Sequence, residues 1–111
     1  MLKPEEMYQT MLEVGEDWAD KKAAYHALDD LTKTVLAACK GRYQGTVDHI
    51  DSKARIDPLY KDHLRSLSEA RSAFLMADAK YTAVKALMDF RRSEAAMERA
   101  MMERGVLSGG A

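Results

Sequence analysis

The sequence predicts an all-α protein, an antiparallel helical hairpin of two long helices with coiled-coil packing, associated into an oligomer. Three observations carry this expectation. Ala, Glu, Lys, Leu and Arg supply 53 of the 111 residues, a share that marks long helices when it comes with helical periodicity. Only two prolines and six glycines interrupt the chain, so few places force a helix to stop. A seven-residue apolar repeat also runs through the C-terminal half. At this length the chain makes one domain, residues 1–111.

The first helix is expected over 4–43. Pro4 suits the first turn, and Glu5 and Glu6 suit its positive end. Gly15 costs about 1 kcal/mol there and marks a bend. Even so, Met7, Met11, Val14, Trp18 and Tyr25 continue one face across it. Gly41 and Gly45 offer left-handed conformations to end the helix. Residues 46–56 form a connector with room for a helical turn or two.

The second helix is expected over 58–104. Asp57 before Pro58 is an N-cap followed by proline at the first helical position. Such a helix extends about 70 Å, far longer than a compact domain of this mass needs. Residues 105–111 read as a tail.

A heptad register fits this second helix. Position a holds Tyr60, Leu67, Phe74, Tyr81, Met88, Ala95 and Met102; position d holds His63, Ala70, Ala77, Val84, Arg91 and Glu98. Large residues at a and small ones at d let two helices approach closely. The matching stripe on the first helix reads Ala24, Leu28, Leu31, Val35 and Ala38, widened by Trp18, Tyr25 and Cys39.

That seam leaves apolar residues over. Met76, Ala83, Leu87, Phe90, Met97 and Met101 widen the apolar arc to about 160°, more than a two-stranded seam covers. Either the Met7–Val14 segment folds over them or a second copy does; the second copy is the preferred expectation. Arg91 and Glu98 interrupt position d where this second stripe strengthens, so the helix is expected to change partner near residue 88. The methionines Met88, Met97, Met101 and Met102, with Met7 and Met11 opposite, read first as gap-filling core and second as an adaptable binding surface.

Charge is uneven. Residues 1–52 carry a net −4 and residues 53–111 a net +3. Lys85, Arg92 and Arg99 recur every seven residues. They read either as a phosphate-contacting row beside Phe90, suited to single-stranded nucleic acid, or as partners of Asp17 and Asp20 across the seam, the favoured reading. The near-neutral total argues against binding nucleic acid by bulk charge.

Other chemistry finds little footing. His26 with Asp30, or Asp48 with His49 and Asp51, falls short of the three or four converging ligands of a tight zinc site. No metal or cofactor is expected. His26 falls opposite the seam, and His63 reads as a partly buried histidine. Cys39 reads as a small core residue, and a single cysteine excludes an internal disulfide. No phosphate loop, nucleophile elbow, kinase or zincin motif is present, so no enzymatic activity is expected. The N-terminus lacks an apolar leader and no apolar run is long enough to span a bilayer. A cytoplasmic location and no membrane partner are therefore expected.

The string Asp17–Trp18–Ala19–Asp20–Lys21–Lys22–Ala23–Ala24, followed by Leu28, resembles the opening of a family of small helical phage and prophage proteins. The second helix continues the likeness around Glu69–Ala70–Arg71, Tyr81–Ala83–Lys85 and Phe90–Arg91–Arg92–Glu94. Genes of that family often lie near those for annealing proteins and exonucleases. The resemblance therefore implies a cytoplasmic phage-type accessory in DNA recombination or replication, with a phage recombination protein as partner. It carries over no functional residues. Two alternatives stand beside it: a small inhibitor of a host defence or nuclease complex, its acidic half imitating phosphates, and a virion structural spacer.

Overall fold

A computed structural model describes residues 3–105 as three helices: α1 (Pro4–Lys40), α2 (Val47–Arg55) and α3 (Pro58–Glu103). Pro4 opens α1, and the Lys3 backbone N–H donates to the Glu6 carboxylate at 3.0 Å, satisfying one of the donors a helix start leaves free. Gly15 does not break the helix. A Cβ there would lie 3.5 Å from the Tyr81 ring, so the position sits where α3 comes close.

α1 ends three residues before the expected boundary at 43. Gly41 keeps a right-handed φ of −64°, and the left-handed turn falls to Gly45 at φ 135°. The chain leaves the helix because Arg42 and Tyr43 are drawn to Asp57: the Tyr43 hydroxyl donates to its carboxylate at 2.6 Å and Arg42 at 3.2 Å. The connector is itself helical. Thr46 caps α2 by accepting from the His49 N–H at 3.2 Å. Asp51 pairs with Arg55 of its own helix at 2.9 Å and ties α2 to α1 through Lys40 at 3.3 Å.

α3 starts at its expected residue for its expected reason. Asp57 accepts from the Leu59 N–H at 2.8 Å, and Pro58 follows. Asp57 is 2 % exposed, a buried charge with every polar neighbour it needs. Bonds from the Tyr43 hydroxyl first and the Leu59 N–H second hold its carboxyl below the usual carboxylate range, and the same contact raises the Tyr43 phenol.

α1 and α3 run antiparallel. Trp18 stacks on Tyr81 with ring centroids 5.1 Å apart, Tyr25 on Phe74 at 5.9 Å, and Thr32 meets His63 at 2.9 Å. Numbers rise along α1 as they fall along α3, and the two stacked pairs stand seven residues apart on both helices. The sequence ends of the seam meet at α2, where Cys39, Ala54 and Tyr60 are buried together against Val35 and Leu36. On α3 the expected a and d residues from Tyr60 to Arg91 are all buried or half-buried.

The α1 stripe needs correction. Leu28, Val35, Trp18, Tyr25 and Cys39 do face the seam, but Ala24, Leu31 and Ala38 are exposed. Met7, Met11 and Val14 lie on the face as expected, and Thr32 joins it. Thr32 fits because its hydroxyl reaches His63, so a polar residue sits in the seam without an orphaned group.

The result is a rod of 90 × 23 × 15 Å. Its radius of gyration is 25.1 Å, against about 13 Å for a compact domain of this length. Among the described residues only Cys39, Ala54, Asp57, Tyr60 and Ala77 are buried. Two helices side by side have one face each to cover, and the rest meets water.

Candidate association surface

Every residue of the expected second stripe lies outside the seam. Met76 is 65 % exposed, Phe90 62 % and Met97 64 %, and Ala83, Leu87 and Met101 are exposed as well. The Met7–Val14 segment does not fold over them. It continues α1 straight along the seam, with Met7, Met11 and Val14 half-buried. The first of the two expected coverings is thereby removed.

Lys80 and Glu94 share the stripe, and sequence reading passed them over because they are charged. Ala79, Ala86, Ser93 and Ala100 run beside it. Small residues there leave space for another helix backbone to come near, since interaxial distance follows the side chains at the contact. The spacing was visible in the sequence once the search for a second stripe admitted polar members.

The basic row has a different place from the one expected. Lys85, Arg92 and Arg99 are exposed, and among the described residues no ion pair joins α1 to α3. The expected pairing with Asp17 and Asp20 is not formed. Asp17 is 3.7 Å from Lys21 on its own helix. With Trp18 level with Tyr81, neither acid stands level with Arg92 or Arg99. Nor does the row lie beside Phe90. Two residues of α-helix turn the chain through about 200°, so Arg92 is roughly 160° round the helix from Phe90. α3 therefore presents an apolar stripe and a basic row on opposite sides.

At the end of the rod away from α2, α1 and α3 enclose a groove of about 570 Å³ whose lining includes Met7, Tyr8, Met88, Arg91, Arg92 and Ala95. Pro4, Glu94 and Glu98 also line it. α1 thus remains against α3 as far as residues 95–98, so α3 does not leave α1 near residue 88 as expected. The methionines divide accordingly. Met7, Met11 and Met88 fill the seam, while Met97, Met101 and Met102 stand exposed beside or beyond it.

Titratable groups elsewhere serve the fold. His63 meets the Thr32 hydroxyl, and His26 is exposed beside the Tyr25 and Phe74 rings at 5.3 and 6.3 Å. Cys39 is wholly buried. Among the described residues no three His, Cys, Asp or Glu side chains are placed to hold a metal ion, and no helix is long and apolar enough to cross a membrane. Compared with known proteins, the chain matches no family model, no curated protein and no solved structure.

Proposed function

We propose that the protein is a non-enzymatic, oligomeric accessory protein of the phage type, its long helices packed as a coiled coil. It acts in the bacterial cytoplasm by binding another macromolecule during DNA recombination or replication. The observation that carries this reading is the uncovered apolar stripe of α3, a contiguous surface of the kind that marks protein–protein contact. The exposed row Lys85, Arg92 and Arg99 on the opposite side supports a second contact, with phosphates or with an acidic protein. The resemblance to phage proteins encoded near recombination genes supplies the process.

A tagged full-length chain drawn from host lysate with and without phage infection, after nuclease treatment, tests this. Recovery of a phage annealing protein or exonuclease only from infected cells is the expected result. Recovery of a host defence or nuclease complex from uninfected cells would overturn it in favour of an inhibitor. The acidic α1 supports that second reading, since Glu13, Asp17 and Asp20 are all exposed.

A further inference from the structure

We propose that the apolar stripe of α3 is covered by the same stripe of a second copy of this chain, the two α3 helices running antiparallel. Phe90 of each copy then packs on Leu87 of the other. This rests on the reading above in one point, that the stripe is an association surface: a second copy covers it, the exposed row Lys85, Arg92 and Arg99 is left for the recombination partner, and the two fail separately. The recombination partner is read by pull-down, and the pairing by the mass of the purified chain.

The spacing is that of a helix–helix contact. Positions 76, 80, 83, 87, 90, 94, 97 and 101 alternate steps of four and three, as a straight knobs-into-holes seam requires. They extend along about 38 Å of helix. A patch for a globular partner has no reason to keep that period over about seven turns of helix.

Charge selects the second copy and its direction. Lys80 and Glu94 lie seven residues either side of Leu87. In an antiparallel pair with Phe90 on Leu87, Lys80 of each copy comes within a turn of Glu94 of the other, so both pairs form at once. Met76 meets Met101 at each end. A parallel pair would set Lys80 against Lys80 and Glu94 against Glu94, which like-charge repulsion disfavours.

Area agrees. The chain exposes 8507 Å², whereas a compact chain of 12.5 kDa exposes about 6,200 Å². The surplus of roughly 2,300 Å² exceeds the ~800 Å² that each partner loses in an interface of standard size. Pairing also supplies the core that five buried side chains do not. It leaves Lys85, Arg92 and Arg99 facing outward on each copy.

The full chain is examined by light scattering and sedimentation over a wide concentration range. A mass twice 12.5 kDa that falls on dilution is expected. Phe90→Glu is expected to raise the dissociation constant by about a hundredfold or more with helix content retained in the monomer, and Arg92→Glu to change it only a few-fold. Met76→Cys combined with Met101→Cys is expected to give disulfide-linked dimers that neither variant gives alone; Cys39 is buried and does not compete. A monomer at every concentration, a larger assembly, or failure of the double variant to link would overturn the proposal. Self-linking of Met97→Cys would replace the antiparallel pair with a parallel one.

Discussion

The indole Nε1 of Trp18 donates to Asp78 Oδ1 at 2.9 Å, joining α1 to α3 at the middle of the rod. The same indole stacks on Tyr81, and Lys22 Nζ stands 4.8 Å over its ring. A seam of leucines and alanines can slip by a heptad with little loss. A directed hydrogen bond to a half-buried carboxylate cannot, because a slip leaves the indole N–H and the carboxylate without each other. The bond fixes which turn of α1 meets which turn of α3.

Trp18→Phe keeps an aromatic ring against Tyr81 but removes the donor and part of the indole's surface. It is expected to cost about 1–2 kcal/mol, read as a lower urea midpoint. Asp78→Ala is expected to cost a similar amount, and the double variant less than the two together. Strict additivity would show that the bond contributes nothing beyond packing.

The α3 half of this seam was legible because its a column alternates with small residues and no rival stripe shares the d column. The α1 half was not. Ala24, Leu31 and Ala38 alternate with Leu28 and Val35 at the same three-and-four spacing as the true face. What decides between the registers is the column Trp18, Tyr25, Thr32 and Cys39, and Thr32 disguises it. That threonine is explained only by His63, thirty-one residues away. The helix ends were readable where a cap is local, as at Asp57–Pro58. The end of α1 was set by the distant pull of Asp57 on Arg42 and Tyr43. The apolar stripe was visible in sequence, whereas the far-side placement of the basic row needed only the arithmetic of 100° per residue.

Ala77 is 3 % exposed, inside the seam one turn from Tyr81 and Phe74. Ala77→Leu adds volume where α1 and α3 approach closely and is expected to cost about 1–3 kcal/mol. Ala96→Leu, at an exposed position near the far end, is expected to stay within about 0.5 kcal/mol. Equal losses in a denaturant titration would show that Ala77 is not at a tight contact.

Asp57 makes stability depend on acid pH. Its folded carboxyl is lowered from the ordinary 3.8, chiefly by the Tyr43 hydroxyl and then the Leu59 N–H. The unfolded chain therefore binds more protons between the two values, and the stabilisation is present above the unfolded value and lost as pH falls through the folded one. Asp51, lowered chiefly by Arg55, adds in the same direction. Denaturant midpoints are expected to fall below pH 4, and to fall less steeply in Asp57→Asn. The raised Tyr43 phenol gives the opposite limb: its contribution is complete below 10.0 and lost as pH rises through the folded value. An unchanged acid limb in Asp57→Asn would remove Asp57 as its source.

Two glycines in the turn after α1 are expected to respond oppositely to alanine. Gly41 has φ −64°, and a Cβ there meets only ordinary contacts, the nearest at 3.5 Å. Gly41→Ala is therefore expected to be neutral or to stabilise by up to about 1 kcal/mol, because alanine narrows the unfolded ensemble at no cost to the fold. Gly45 has φ 135°, which an L side chain rarely adopts, and its Cβ would fall 2.9 Å from His49 Cδ2. The His49 ring can swing aside, but the backbone cannot relax without disturbing Thr46, whose side chain caps α2. Gly45→Ala is expected to cost more than about 1 kcal/mol. A Gly45→Ala, His49→Ala pair separates the two causes by thermal melting: removing the ring relieves the clash and leaves the strained φ. If the pair recovers full stability the contact with His49 is the whole cost, and if it recovers little the left-handed turn is what holds α1 and α2 at their angle.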